Sequence, residues 1–142
     1  MKNLNYLTLK KQLPENVNLL AVSKYTNSKN IQSLYDLGQQ HCGESKVQEA
    51  QIKQYDLINN QKLKWHFIGK IQSNKIIKIV NNFDYIHSVD SLKKLQKISK
   101  VAIELNKTPK IMIQIKLSDD PNKGGMYRDC LLYTSPSPRD PT

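Results

Sequence analysis

Cysteine and arginine are almost missing from this sequence, and long apolar runs are missing altogether. Two cysteines, Cys42 and Cys130, make no disulfide framework. No CxxC, HExxH or clustered His/Cys spacing occurs, so a metal site has no support. No run of about 18 apolar residues is present, which excludes a membrane-spanning helix, and no membrane partner is expected. The opening residues, Met1-Lys2-Asn3-Leu4-Asn5-Tyr6, lead into a polar helical pattern with no secretory apolar core. A cytoplasmic location is the expectation.

Lysine is abundant instead. The 142 residues carry 22 basic against 12 acidic side chains, a net charge of +10 and a pI of about 9.6, and 20 of the 22 are lysine. A basic nucleic-acid-binding module would use such charge. AT-rich coding sequence, which favours Lys, Asn and Ile together, gives the same composition. The lysines are spread along the chain, and only Lys75/Lys78 and Lys93/Lys94/Lys97/Lys100 recur at helical spacing, as on solvated helix faces. No nucleic-acid partner is expected. At 38% apolar residues and a mean hydropathy of -0.60 the chain is polar but long enough for one domain with a core.

One stretch stands out: Leu19-Leu20-Ala21-Val22-Ser23-Lys24, an apolar run ending on a lysine. It has the length of a buried strand, here residues 18–24. A short helix over residues 4–12 precedes it and stops at Pro14. After it the pattern alternates. A helix over residues 28–38, with Ser28 as N-cap, Ile31, Leu34, Tyr35 and Leu37 as its apolar face and Gly38 as its stop, leads to a strand at 40–43. A helix over 45–59, with a stripe of Val47, Ala50, Tyr55 and Ile58, leads to a strand at 64–69. A helix over 73–81 leads to a strand at 85–89, and one capped by Asp90 or Ser91 and running to about 106 leads to a strand at 111–117. Five alternations with short loops argue a parallel sheet of βα units whose strands, the second excepted, are apolar on both faces. A complete TIM barrel needs eight such units, and five are here.

The stretch at 126–142, MYRDCLLYTSPSPRDPT, differs in kind: three prolines and no periodicity where a helix is due. Its CLLYTSPSPRD run resembles translated adapter sequence found at the ends of environmental sequence fragments. It is set aside as a disordered or non-native tail, and its charges cancel.

In a parallel α/β sheet the C-terminal strand ends share one mouth. These ends bring Lys24, then Gly43-Glu44-Ser45, then residues from His66 to Lys70, then His87-Ser88-Val89-Asp90, then Lys116 to a polar ring above an apolar floor. Lys24, flanked by apolar residues, would be partly desolvated and able to attack a carbonyl; by position alone it is equally a lysine whose stem packs while its head reaches water. His66 and His87 could be acid–base groups or hydrogen-bonded core residues. Glu44 could pair with Lys24 or a neighbour, or sit in a first helical turn. Residues 72–75 could hold an anion at a helix start, though ordinary capping explains them as well.

Together these segments resemble the pyridoxal-phosphate homeostasis proteins, the YggS/PROSC-type family. Ala21-Val22-Ser23-Lys24 looks like the family's AVSK, Gly43-Glu44-Ser45-Lys46-Val47-Gln48-Glu49 like GEN-x-VQE, and the segment from Trp65 to Lys75 like WHFIG-x-LQSNK. His87-Ser88-Val89-Asp90 matches HSVD, and Gln114-Ile115-Lys116 with the Asp120 to Gly125 stretch resembles the QVN…KxG segment. Order and spacing agree over residues 19–125.

The resemblance implies a truncated TIM (β/α) barrel of the alanine-racemase N-terminal type over residues 1–125, with about five of the eight strands. It implies pyridoxal 5'-phosphate (PLP) held by Lys24 as a Schiff base, with Ser45, His66, Gly69, His87 and Ser88 about the cofactor. The implied role is cofactor buffering and delivery to PLP-dependent apo-enzymes by a monomer, without turnover; a racemase-like enzyme barrel is the alternative. Two departures are visible: Ser45 stands where the family has Asn, and Lys116 where Asn is common. The family's phosphate-gripping turns, which follow strand five, are absent. PLP affinity is therefore expected to fall by orders of magnitude, since charge-assisted phosphate contacts are strong, and an unclosed barrel with unpaired edges is expected to be unstable alone.

Overall fold

A computed structural model describes residues 2–116 and 125–127. Helix α1 (Lys2–Gln12) precedes β1 (Ala21–Val22), α2 (Ser28–Asp36), β2 (His41–Glu44), α3 (Val47–Asp56) and β3 (Lys64–Phe67). A 3-10 turn (Ser73–Lys75) leads into α4 (Ile76–Asn82), then β4 (Tyr85–Val89), α5 (Leu92–Leu105) and β5 (Lys110–Ile113). Strands β1 to β5 form one parallel sheet in sequence order, each beside the next. Parallel neighbours need a crossover, and a helix supplies each one. The expected alternation therefore holds over five strands and the four helices between them.

Strand register sorts the side chains into two faces. Ala21, Cys42 and Trp65 lie on one rung, and Glu44 and Phe67 on another, with Ile86 and Ile111 continuing the second. These face the helices, and Cys42, Trp65, Phe67 and Ile86 are buried there with Ile76, Ile79 and Ile98. Burial also pushes the Cys42 thiol up to about 12, with the Glu44 carboxylate adding to it, so the thiol is inert. Val22, Gly43, His66, Tyr85 and Lys110 share the intervening rung and point to the other, inward face. Trp65 and Phe67 thus belong to the helix side and His66 to the inside.

Several expectations are corrected. The stretch at 18–24 is not a buried strand: only Ala21–Val22 pairs, and Val22 is 56% exposed. No other described strand pairs the outer edge of β1, so its inward side chains stay uncovered. Strands are not apolar on both faces, because β3 alternates Lys64 and His66 with Trp65 and Phe67. The strand expected at 111–117 breaks at Gln114; β6 (Ile115–Lys116) pairs instead with β7 (Met126–Tyr127) in a separate two-stranded sheet. Apart from residues 126 and 127, the expected tail lies outside the described residues, as does the 117–124 segment.

Helix ends follow local chemistry. Asn27, not Ser28, caps α2, its side chain accepting from the Asn30 N–H at 2.9 Å. Gly38, at φ 106, closes the helix as expected, with the Gly38 and Gln39 N–H groups donating to Tyr35 and Leu34 carbonyls. Ser91 rather than Asp90 caps α5. Helix α3 starts at Val47 and presents Val47, Ala50 and Lys53 inward, while Tyr55 and the following Ile58 are exposed. Residues 72–75 make a 3-10 turn without a side-chain cap, and the Ser73 carbonyl accepts from Lys97 Nζ at 2.9 Å. No helix of the described residues is long and apolar enough to cross a membrane.

Candidate functional site

Lys24 sits directly after β1, in a turn fixed from three sides. Ser23 N–H donates to the Gly43 carbonyl at 2.9 Å, and Thr26 N–H closes the turn onto the Ser23 carbonyl at 3.2 Å. Tyr25, at φ 66, takes the left-handed conformation that the third position of such a turn requires. A bulky residue pays strain of about 1–3 kcal/mol there, so the surroundings must hold it.

What holds it is a buried polar cluster. Ser23 Oγ lies 2.5 Å from Glu44 Oε2 and donates to it. Lys53 Nζ donates to both Glu44 oxygens at 3.0 Å and to the Ser23 carbonyl at 2.9 Å. All three ammonium protons are therefore used, and no described buried side-chain polar atom lacks a partner. Glu44 thus pairs with Lys53, neither with Lys24 nor in a helical first turn. Lys24 itself is exposed, 5.7 Å from the Tyr25 ring centroid, so the expected desolvation does not hold in this chain.

The other candidates fall into two groups. Ser45 and Gly69 meet where the loops after β2 and β3 touch: a Cβ on Gly69 would run into the Ser45 carbonyl oxygen. His66 and His87 lie on the inward face. His66 Nε2 is 2.9 Å from His41 Nδ1, and His66 Nδ1 is 2.9 Å from His87 Nε2. His66 also stacks on Tyr85, ring centroids 4.0 Å apart and planes 2° from parallel. Burial, with the two flanking imidazoles adding to it, pushes the His66 pKa down to about 4; burial lowers His41 and His87 as well. Ser88, at φ 62, forms the irregularity in β4 that turns Val89 back into the core beyond His87. Among the described residues no group of His, Cys, Asp or Glu is arranged to hold a metal ion. The Lys116 side chain is outside the described residues.

Sequence reasoning missed Lys53, His41 and Tyr85. Lys53 was signalled by its place three residues after Ala50 on the inward stripe of α3. His41 alternates with Gly43, and strand phase alone puts it on the inward face with His66. A cavity of about 570 Å³, lined by Tyr6, Ala21, Ile31, Leu34 and Leu63 among others, lies on the helix side of β1 and does not include Lys24.

The family model of the alanine racemase N-terminal domain matches residues 3–129. A pyridoxal phosphate homeostasis protein of Synechocystis is 46% identical over 124 residues, covering 87% of this chain and 57% of the relative. The Escherichia coli K12 protein of the same name is 35% identical over 115 residues, covering 80% and 49%. The chain therefore spans about half the length of these relatives. PipY of Synechococcus elongatus superposes with a TM-score of 0.84 at 45% identity without PLP, covering 89% of this chain and 59% of PipY. With PLP bound its TM-score is 0.82 at 43% identity, covering 89% and 58%. An alanine racemase of Clostridium difficile, 18% identical with a TM-score of 0.65 over 80% of this chain and 30% of the racemase, shares the fold.

Proposed function

The chain belongs to the alanine racemase N-terminal domain family, and on that footing we propose that Lys24 binds pyridoxal 5'-phosphate and that the complete protein serves intracellular PLP homeostasis. It holds the cofactor and passes it to PLP-dependent apo-enzymes, as a cytoplasmic monomer, without turning over a substrate. The observation that carries this reading is the placing of Lys24: a primary amine on a locked turn at the C-terminal end of β1, in a chain 43% identical to a PLP-bound structure.

The described residues fit the aldehyde end of the cofactor. PLP supplies an aldehyde that condenses with a primary amine. Lys24 offers that amine in the open, two positions beyond Val22 at the end of β1. The Ser23–Glu44–Lys53 cluster fixes the backbone that carries it. Ser45 and Gly69 clamp two mouth loops together, and Ser88 sets the backbone that presents His87. Residues 1–125 make the barrel part, and the phosphate grip belongs to strands beyond it, in keeping with barrels whose phosphate loops follow strands seven and eight.

The test is titration of the full-length protein with PLP. A visible-range absorption band of lysine-bound cofactor is expected, lost in Lys24→Ala. No band with the unaltered protein removes the reading. Amino-acid turnover by the loaded protein would favour the racemase-like alternative.

A further inference from the structure

All three histidines of the sequence join in one line across the inward face. Their heights follow from strand register. His66 shares a rung with Gly43 and Tyr85; His41 is two residues before that rung, and His87 two residues after it. The line climbs from two residues below that rung to two above it, with successive ring centroids 5.1 Å apart. It ends at His87, the β4 residue before the left-handed Ser88.

Two contacts of 2.9 Å link the rings. Three neutral imidazoles have three N–H groups, and two must lie between rings, so the protons have only two consistent arrangements. Either every ring donates upward from Nδ1, or every ring donates downward from Nε2. The lower end decides between them. His41 Nε2 is the free nitrogen there, and the charges acting on His41 are three ammonium groups, Lys10, Lys64 and Lys110, against one carboxylate, Asp84. Asp84 is already engaged through Oδ2 by the Trp65 N–H at 2.8 Å. Lys64 is the residue paired with His41 across the strands, and Lys110 lies over the Tyr85 ring at 5.3 Å. Surrounding cations favour a lone pair at His41 Nε2 and disfavour an N–H.

We propose that the His41–His66–His87 line has a fixed polarity, each ring carrying its proton on Nδ1, so that, on the PLP reading above, His87 offers an N–H donor at the upper end of the line to an acceptor atom of the bound ligand. His41 and His66 are then positioning residues: they act through the tautomer of His87. Isolated imidazole has no such constraint, and the arrangement follows from the lysines at the far end. Neutral rings throughout are consistent with the downward displacement of all three pKa values by burial.

The measurement is imidazole 15N–1H correlation spectroscopy on the full-length protein without added PLP, at about pH 8, above the usual histidine range. His→Gln variants assign the signals. The expected pattern is Nδ1–H at His41, His66 and His87. An Nε2–H at His87 overturns the proposal. A second variant, Lys64→Glu, changes an exposed side chain and places an acceptor beside His41; it is expected to shift His87 toward Nε2–H. Retention of Nδ1–H at His87 in that variant would show that the lysines do not set the polarity. Neither readout requires cofactor, so the result is separate from the fate of the PLP reading.

Discussion

Lys53 Nζ reaches back from α3 to sit 3.0 Å from both carboxylate oxygens of Glu44 on β2, with the two side chains only 9% and 1% exposed. A buried pair of this kind contributes little net stability over an apolar substitute, yet breaking it leaves one charge stranded. Lys53→Met is expected to destabilise the full-length protein by about 3–5 kcal/mol in urea melts. Glu44→Leu combined with Lys53→Met is expected to recover most of that loss. An unchanged midpoint for Lys53→Met would mean that the pair is not closed in solution.

Adjacent residues in the same turn should give opposite outcomes. Lys24 is exposed, so Lys24→Ala is expected to change stability by less than about 0.5 kcal/mol. Ser23 is buried with its hydroxyl on Glu44, so Ser23→Ala is expected to cost about 1–3 kcal/mol. Loosening that turn is also expected to weaken PLP binding by the variant that still has its lysine. Equal melting midpoints for the two variants would contradict the division between Lys24 and its support.

Acid should weaken the fold through the imidazole line. The His66 pKa is depressed to about 4 from an ordinary 6.5, so the unfolded chain takes up its proton first as pH falls. The stabilising contribution is present above about 6.5 and is lost progressively between about 6.5 and about 4. His41 and His87 shift in the same direction and add to the slope. Denaturant midpoints measured across this range should fall with pH, and His66→Gln should flatten the curve. A slope of equal size in that variant would assign the effect to other groups.

Gly69 is a contact position. A methyl group there meets the Ser45 carbonyl oxygen, which is backbone and cannot swing aside. Gly69→Ala is expected to separate the loops after β2 and β3, costing about 1–3 kcal/mol as overpacking does, and to weaken PLP binding. Near-normal stability and binding would show that these loops give way freely.

Much of the architecture could be read in advance. Periodicity marked α5 and β4 closely, because a long amphipathic stripe and a strand framed by turns are local patterns. Gly38 closed α2 as its backbone freedom requires. The ends of α2 and α3 were less legible, since Asn27 and Ser28 are both good caps, and Asn27 takes the Asn30 N–H while the Ser28 hydroxyl donates to Asp56. Tyr55 and Ile58 looked like part of the apolar stripe, yet the stripe turned to Val47, Ala50 and Lys53, a lysine drawn inside by a carboxylate on another element. The run at 18–24 read as buried because composition records how apolar a strand is and not whether a neighbour covers it. At the edge of the sheet, Val22 remains open.

The sequence by itself determined the alternation of strands and helices and the position of Lys24 at a strand end, because both depend on short-range patterns of apolar, polar and turn residues. Only the tertiary structure decided what holds that lysine and what faces it. Glu44 and Lys53 are nine residues apart, and His41, His66 and His87 are separated by 25 and then 21. The first meeting follows from the packing of α3 beside β2, and the second from parallel register, which sets residues of neighbouring strands on one face; no local pattern encodes either.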